Sequence, residues 1–184
     1  MDSLQHHLAH MLRARRSERG WSLTRAAQAT GVSKAMLGQI ERGESSPTIA
    51  TLWKIATGFN LPFSVFIAPE AADEAAPRRQ RCGYPPADKI MQAVPLFPFD
   101  PALSFEMLVI ELAAGASSQS AAHEAGVVEH VVVIDGVLEV QVEGVWQSLA
   151  AGEGLRFQAD RPHAYRNPGN VPVRFHDLIH YPPR

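Results

Sequence analysis

Two side chains that could do chemistry lie in the segment SAAHEAGVVEHVVVIDG, namely His123 and Glu129. They stand on either side of Gly126 and precede a run of β-branched residues that ends in an Asp-Gly pair. An imidazole and a carboxylate can hold a divalent metal ion, or they can line a pocket for an organic ligand. A third interpretation is that they remain from a site that is no longer used. These three interpretations stay open at the level of the two residues.

The second half of the chain is predicted to position these side chains on β-strands. Apolar and polar residues alternate in the segments SFEMLVIEL, HVVVIDGVLEVQVEGVWQSL, GEGLRFQ, HAYRN and VRFHDLIHY. Alternation with period two predicts strands, and the intervening Gly, Asp and Pro residues predict turns. The pairs Asp135-Gly136 and Glu143-Gly144 predict short antiparallel connections. About six short strands favour a β-sandwich or barrel.

The first 67 residues follow a helical period instead. Leu4, Leu8 and Leu12 mark one face of a first helix that stops at Gly20. N-caps of three further helices are predicted at Ser22, Ser33 and Thr48, and PFSVFI predicts a short fifth helix. The two short helices joined by Gly31-Val32-Ser33 predict a helix-turn-helix. The predicted core of this bundle is Leu23, Ala27, Val32, Leu37, Ile40, Leu52, Ile55 and Ala56.

Length and composition limit the class of protein. A chain of 184 residues that is 46% hydrophobic can bury one good core or two small ones, and no segment is apolar for long enough to span a bilayer. The N-terminus has no apolar run after its charges, so we expect no secretory signal and a cytoplasmic location. The single cysteine, Cys82, cannot form an internal disulfide.

Charge divides the chain into two unlike parts. Residues 1–67 contain eight Lys and Arg against four Asp and Glu, a net charge of +4, whereas the remainder contains nine against fifteen, a net charge of −6. A basic segment suits a polyanion such as DNA, and an acidic one does not. The predicted organisation is a basic, DNA-binding helical domain at 1–67, a linker at 68–92 that is rich in Ala, Pro and charge, and an acidic β-domain at 93–184.

The segment GVSKAMLGQIERGESSPTIATLWKIA resembles the helix-turn-helix of phage-repressor-like, XRE-type DNA-binding domains. The resemblance implies a lambda-repressor-like all-α bundle whose third helix lies in the major groove. It implies base contacts for Lys34, Ala35 and Gln39, with Met36 nearby. Gln39 can pair bidentately with adenine, and Lys34 can reach guanine or a phosphate. The alternative for both side chains is a solvated helix face.

Other residues of this resemblance lie at helix ends and turns, where phosphate contacts are made. They are Ser22, Thr24, Arg42, Ser45 and Thr48. An alternative role for the serine and threonine side chains is helix capping, which contributes about 1 kcal/mol to each helix. Glu41 resembles the glutamate that pairs with an arginine of the first helix in this family, here Arg16.

The second half resembles the cupin β-barrel, which implies an all-β double-stranded β-helix. The first cupin motif has a glycine, two histidines, a glutamate and a closing glycine, and its counterparts here are Gly115, Ala121, His123, Glu129 and Gly136. The second motif has its counterpart in GEGLRFQADRPHAYRN, which places His163 and Asn167 at the family spacing. Ala121 stands where the first histidine is expected.

The resemblance brings His123, Glu129 and His163 together as two histidines and one carboxylate, a set that suits iron or another divalent ion. A zinc site would need a fourth partner. The alternative is a hydrogen-bonded polar patch that orients an organic effector, with Tyr165 on the same strand face as His163. His176 is a candidate for the missing ligand, although a lone histidine on a strand more commonly has another role. Four side chains could form the wall of an apolar pocket, namely Phe105, Met107, Phe157 and Tyr165, and the first three are predicted to be core instead.

The whole chain resembles XRE-type regulators with a C-terminal cupin domain, a group that includes regulators of sulfur utilisation. EHVVVIDG, GEGLRF, YRN and LIHYP carry this resemblance beyond the helix-turn-helix. It implies a non-enzymatic regulator that binds an operator in double-stranded DNA and a small-molecule effector related to sulfur metabolism. We expect a homodimer, because one bundle reads only a few base pairs, and no membrane partner. The alternatives are a metal-dependent, dioxygenase-like cupin enzyme and a DNA-binding scaffold that responds to no ligand.

Overall fold

The computed structural model of the chain describes residues 3–68 and 89–182. The first of these ranges is helical and the second is almost entirely β-structure. Cys82 and most of the predicted linker lie outside the described residues. The helices are α1 (Ser3–Glu18), α2 (Leu23–Thr30), α3 (Lys34–Glu41), α4 (Ile49–Gly58) and α5 (Ser64–Ile67). No helix in the described ranges has both the length and the apolar character needed to cross a membrane.

The three predicted helix N-caps are confirmed. The side chains of Ser22, Ser33 and Thr48 each accept a hydrogen bond from the backbone N–H three residues further on. Each cap satisfies one of the backbone donors that a helix start leaves unpaired. The caps therefore fix where α2, α3 and α4 begin, and with them the turn between α2 and α3.

The core of the bundle is more aromatic than predicted. Leu23 and Ala27 are only partly buried, whereas Phe59, Phe63 and Phe66 are fully buried. These three phenylalanines follow α4, in a segment without a long helical period. Their burial depends on how the end of α4 and α5 fold back onto α1. The periodicity of single helices therefore does not reveal them.

The second range folds into two antiparallel sheets. Its strands are β1 (Met91–Asp100), β2 (Phe105–Leu112), β3 (Ser117–Ser120), β4 (Val128–Asp135), β5 (Val137–Val142), β6 (Val145–Ala150), β7 (Gly154–Gln158), β8 (His163–Arg166) and β9 (Val173–His180). The five-stranded sheet has the order β1-β2-β9-β4-β7 and the four-stranded sheet the order β3-β8-β5-β6. The inner faces of both sheets enclose the core of the barrel.

One of the two predicted turns is confirmed and the other is wrong. Glu143-Gly144 joins β5 to β6 as a hairpin, and both residues have positive φ angles, of 52° and 83°, as a type I′ turn requires. Asp135-Gly136 forms no hairpin, because β4 pairs with β7 and β9 whereas β5 pairs with β6 and β8. At this point the chain passes from one sheet to the other.

The alternation along β2 has the opposite phase from the one predicted. Glu106 and Leu108 are fully buried on the inner face, whereas Phe105 and Met107 lie on the outer face and are only partly buried. The prediction that Phe105 and Met107 are core residues is therefore wrong, while Phe157 is buried as predicted. The buried Glu106 carboxylate is stable there because it accepts hydrogen bonds from other elements.

The bundle packs directly against the barrel. Buried side chains of both parts form one hydrophobic cluster. Glu106 of β2 accepts hydrogen bonds of 2.8 Å from the backbone N–H groups of Phe63 and Ser64, at the start of α5. It also accepts one from the Tyr181 hydroxyl. The helices that contact the barrel are therefore α4 and α5, which follow the helix-turn-helix.

Candidate functional site

Three polar side chains converge inside the barrel from different elements. Glu129 is on β4, His163 begins β8, and His123 lies in the loop between β3 and β4. The backbone N–H of His123 is held at 2.9 Å from the carbonyl of Ala159. The possible ligand atoms of the three side chains lie within 4.8 Å of one another. The sequence prediction named these three residues, and the fold brings them together.

The Glu129 carboxylate is the centre of the cluster. It is 1% exposed, and its Oε1 atom lies 2.9 Å from His123 Nε2 and 3.4 Å from His163 Nε2. The Tyr165 hydroxyl donates a hydrogen bond to Oε2. Burial raises the pKa of Glu129, but the contact with His123 and the attraction of both histidines outweigh it and hold the pKa well below its usual range. Glu129 is therefore an ionised carboxylate inside the barrel.

The His163 ring is oriented by its backbone contact. Nδ1 lies 2.9 Å from the carbonyl oxygen of Arg161 and donates to it, so the lone pair of the neutral ring is on Nε2. Nε2 is buried and has no hydrogen-bond partner among the described residues. Burial lowers the pKa of His163, but attraction to the Glu129 carboxylate outweighs it and leaves the pKa raised. An unpartnered nitrogen beside an ionised carboxylate fits a bound cation.

The His123 ring connects the cluster to the helical bundle. Nε2 faces Glu129, and Nδ1 lies 3.1 Å from the hydroxyl of Thr57 on α4. A threonine hydroxyl can donate or accept, so it suits either tautomer of the ring. Trp53, one turn earlier on α4, lies with its ring 5.6 Å from the ring of His123. Sequence reasoning missed Trp53 and Thr57, because their place depends on docking between distant parts of the chain.

Asp177 of β9, and not His176, faces the cluster. The inner-facing residues of β9 are buried and His176 lies on the opposite face, so the idea that it supplies the missing ligand is wrong. Burial, followed by repulsion from Glu129 and Glu106, raises the pKa of Asp177 well above its ordinary value. Its Oδ1 atom has no partner among the described residues. Side chains two residues apart on a strand share a face, so the apolar Phe175 could have indicated that Asp177 also faces inward.

The space inside the cluster is small. It is lined by Trp53, Met91, Ile110, Ser118, Ser120, His123, Glu129, His163, Tyr165 and Asp177. Its free volume is about 10 Å³, which is room for about one water molecule or one ion. Ala121, at the position of the missing histidine, is exposed, and Asn167 donates to three backbone carbonyls. Neither of these two residues belongs to the cluster.

The candidate nucleic-acid surface is the outer face of α3. Lys34, Ala35 and Gln39 are exposed, while Leu37 and Ile40 are buried against the rest of the bundle. Met36 is half-buried, and its sulfur accepts a hydrogen bond of 3.8 Å from Ser45. The side chains predicted to reach base edges therefore share one accessible face.

The helix-turn-helix is braced from behind by an ion pair. Arg16 of α1 donates two hydrogen bonds, of 2.6 and 2.9 Å, to the carboxylate of Glu41 at the end of α3. This pair confirms the role predicted for Glu41. Its bidentate geometry fixes orientation as well as distance, so α3 is held at a defined angle to α1.

The residues predicted to contact phosphates have different surroundings. Ser22 and Thr24 are exposed at the start of α2. The Arg42 guanidinium donates hydrogen bonds of 2.8 and 2.7 Å to Glu44, and both side chains are exposed. A phosphate would therefore compete with Glu44 for Arg42, whereas the start of α2 carries no such competing carboxylate in the described contacts.

Comparison with known proteins agrees with both parts of this description. A family model described as helix-turn-helix matches residues 12–66, and one described as cupin domain matches residues 108–179. The chain is 57% identical over 182 residues to the HTH-type transcriptional regulator SutR of Escherichia coli K12, a match that covers 99% of each chain. The crystal structure of an HTH_3 family transcriptional regulator from Vibrio cholerae is 40% identical, with a TM-score of 0.82 over 97% of both chains.

A further solved structure resembles the barrel alone. It is the cupin domain of an XRE family transcriptional regulator from Enterobacter cloacae, which is 54% identical with a TM-score of 0.50. The match covers 51% of this chain and 99% of that domain.

Proposed function

The chain belongs to the family of HTH-type transcriptional regulators that join an XRE-type helix-turn-helix to a cupin domain, and from this premise we propose that a small molecule bound in the barrel controls the affinity of the protein for operator DNA. The two resemblances noted in the sequence are thereby confirmed. The chain is a DNA-binding transcriptional regulator, and the fold class is the predicted one. The effector, the metal ion, the base contacts and the dimer are parts of the proposal.

One contact carries the proposal. Thr57 of the DNA-binding bundle and His123 of the barrel cluster lie 3.1 Å apart. A change at Glu129 or His163 can therefore reach α4 through His123, which bonds to Thr57, and through Trp53, which lines the same space. Small displacements at a site are transmitted when packed elements join it to a second site.

The proposed DNA contacts are those of the exposed side of the helix-turn-helix. Gln39 and Lys34 read base edges in the major groove, with Ala35 and Met36 against the same groove. Ser22, Thr24 and Arg42 contact phosphates and set the register. These side chains belong to the part of the chain with a net charge of +4, as binding to a polyanion requires.

One divalent ion, zinc or iron, is the proposed occupant of the barrel cluster. His123, Glu129 and His163 would hold it, and the unpartnered Nε2 of His163 supports this assignment. Two imidazoles and a carboxylate leave open positions on an ion, which would bind and polarise a donor group of the effector. The ionised Glu129 carboxylate favours a cation over an anion in this space.

The effector is proposed to be related to sulfur metabolism, for example a sulfur-containing amino acid. The support is the similarity to SutR along nearly the whole chain. The barrel residues themselves would serve any small molecule that a metal or a carboxylate can hold.

The experiment starts with purified full-length protein and DNA sequences enriched from a random pool. Sulfur-containing metabolites are then screened for changes in thermal stability and in operator affinity. We expect His163→Ala to abolish the response to the active metabolite and to leave basal operator binding in place. The matched control is His176→Ala, on the outer face of the same barrel, which should respond like the wild type. A full response in His163→Ala would remove His163 from the site.

A metal-dependent enzyme is the second candidate, since three ligands leave coordination positions for a substrate. The helix-turn-helix joined to the barrel favours the regulator, because a metabolic enzyme has no need of a DNA-binding domain. Metal content measured together with oxygen consumption on a thiol substrate separates the two. Turnover by the metal-loaded protein would favour the enzyme.

A further inference from the structure

Helix α4 of the DNA-binding bundle forms one wall of the barrel cluster. Trp53 lines the same space as Glu129, His163 and Asp177. Its indole stacks on Phe63 with ring centroids 4.3 Å apart, which fixes its position over the barrel. Four residues later on the same helix face, Thr57 bonds to His123. A helix that belongs to the DNA reader therefore closes the site that the barrel alone would leave open on this side.

A second small space lies on the other side of the same two rings. It is lined by Trp53, Ala56, Thr57, Asn60, Leu61, His123, Glu124, Val127 and Tyr181, and it is partly open to solvent along the boundary between α4 and the barrel. Trp53 and His123 line both spaces, so the two spaces meet at these residues. Rotation of the two rings, or withdrawal of α4, would join the two spaces and enlarge the cluster.

The size of the inner space limits what can bind while α4 stays in place. With a free volume of about 10 Å³, the cluster admits one ion or one water molecule and no organic molecule. The other walls are strands held by hydrogen-bonded ladders and the loop of His123, whose backbone N–H is bonded to the carbonyl of Ala159, whereas α4 is held by side-chain packing and by the bond to His123. The wall that can yield at the smallest cost is therefore α4.

A larger depression lies next to the cluster, on the side away from α4. It has a free volume of about 550 Å³ and lies on the outer face of the four-stranded sheet, where Gln119 and Gln141 flank Ala164. His163 borders it, but the His163 side chain is only 1% exposed. Ser120 and His163 line both this depression and the space inside the cluster.

Displacement of α4 would also reach the DNA-reading helices. A Cβ atom placed on Gly58, at the end of α4, would lie 2.6 Å from the backbone oxygen of Ala29 on α2. The two helices therefore touch through their backbones, with no side chain between them to absorb a shift. Movement of α4 would carry α2, whose first residues Ser22 and Thr24 are proposed to contact phosphates.

We propose that α4 is the lid of a composite ligand site, in which a small organic ligand with a cationic or metal-bound head group at Glu129 takes the space that Trp53 fills. This inference rests on the proposed function and specifies how the site is regulated. Ligand binding and the docked position of α4 exclude each other. Trp53 and Thr57 are positioning residues that keep the empty site closed and the bundle in one orientation.

The test measures access to His163 in chelator-treated, full-length protein, without DNA or effector. The probe is diethyl pyrocarbonate, which modifies accessible neutral imidazoles, and the rate at His163 is read by peptide mass spectrometry with His176 as the internal reference. We expect Trp53→Ala to raise the His163 rate at least tenfold and to leave the His176 rate unchanged. The matched control is Trp146→Ala, an exposed tryptophan on β6, which should change neither rate.

A second variant covers the case in which Trp53→Ala does not fold. Thr57→Val keeps the shape of the side chain and loses its bond to His123, so we expect a smaller rise, about threefold, at an unchanged melting temperature. If the modification rate of His163 were unchanged in the folded variants, or rose equally in Trp146→Ala, α4 would not be a lid over the cluster.

Operator affinity tests the link to DNA. Trp53→Ala should change it at least threefold relative to the wild type, and Trp146→Ala should not. Unchanged affinity in a variant with an accessible His163 would overturn the coupling. Because histidine access is measured without DNA, a protein that selected no DNA sequence would contradict the proposed function and leave the result on the lid standing.

Discussion

At the scale of single residues, the candidate site depends on how one carboxylate is shared. Glu129 Oε1 faces His123 and His163, while Oε2 accepts a hydrogen bond from Tyr165. Burial and repulsion from Glu129 raise the pKa of Tyr165 well above its ordinary value, so the phenol keeps its proton and remains a donor. Tyr165, predicted as a pocket residue, lines the cluster and also holds Glu129 in position for the histidines.

Tyr165→Phe tests this role. The variant loses the donor to Oε2 and keeps the aromatic ring that stacks on Phe175. Loss of a hydrogen bond behind a metal-binding carboxylate typically weakens metal affinity by about 10- to 100-fold. We expect a loss of this size when zinc affinity is measured by competition with a chromogenic chelator. The control is Tyr181→Phe, whose hydroxyl bonds to Glu106 outside the cluster; equal losses in both variants would show a general effect of the hydroxyl.

Gln39→Ala tests the proposed reading of bases. The exposed glutamine lies on the outer face of α3, where it can pair bidentately with adenine. We expect the variant to lose about 1–3 kcal/mol of specific operator binding and to relax the choice at one base pair. Binding is measured by fluorescence anisotropy at constant salt against operators changed at one position each.

The control for this measurement is Gln147→Ala, which removes an exposed glutamine from β6 of the barrel. It should leave both affinity and base preference unchanged. If Gln39→Ala weakened all sequences equally and kept the base preference, Gln39 would be a backbone contact and not a reader of bases.

At the scale of elements, the helices could be predicted more closely than the strands. Ser22, Ser33 and Thr48 start their helices through bonds that span only three residues, so the signal is local. The bounds of α2, α3 and α4 therefore follow from the sequence. In contrast, β1 was missed because its ten residues include Pro95 and Pro98, which obscure the alternation.

The strand faces show why part of the site could not be predicted. Along β2 and β9, buried carboxylates at Glu106 and Asp177 occupy inner positions that the sequence suggests for apolar side chains. If these two polar residues are assigned to the outer face, the predicted inside–outside alternation of each strand shifts by one residue. Phe105 and His176 are then placed on the wrong face. Partners on distant elements stabilise these carboxylates, and no local pattern encodes them.

Glu106→Gln tests how firmly α5 is held to the barrel. The carboxylate of Glu106 accepts from two backbone N–H groups and from Tyr181, and a neutral amide would direct its NH₂ group at a donor. Hydrogen bonds to charged groups contribute about 1.5–3 kcal/mol each. We expect the free energy of unfolding, measured by urea titration of the full chain, to fall by about 2 kcal/mol or more.

The matched control is Glu111→Gln on the same strand, which is half-buried and forms no part of the contact with α5. A surface change of this kind typically alters stability by about 0.5 kcal/mol or less. Equal losses in the two variants would mean that Glu106 does not hold α5 to the barrel.

At the scale of the whole molecule, the basic bundle and the acidic barrel pack closely against each other and leave the DNA-reading helix exposed. The basic bundle keeps the exposed face of α3 free, while α4 and α5 face the acidic barrel. Since the bonds of Glu106 and Thr57 join the two parts, the orientation of α3 relative to the barrel is fixed as long as α4 stays docked. A symmetric pair of such chains would present two reading helices at one separation.

This geometry makes the response to operator spacing the decisive test of the proposed homodimer. Two half-sites on one face of the duplex lie about 34 Å apart, one helical turn. Insertion of five base pairs turns one half-site by about half a turn, so we expect affinity to fall by about two orders of magnitude. Insertion of ten base pairs returns both half-sites to the same face of the duplex but increases their separation. Bundles that are docked on their barrels should therefore bind this operator only weakly. Light scattering of the operator complex should give two chains per duplex. Equal affinity for all three spacings would mean that each bundle binds DNA on a free tether, and one chain per duplex would exclude the dimer.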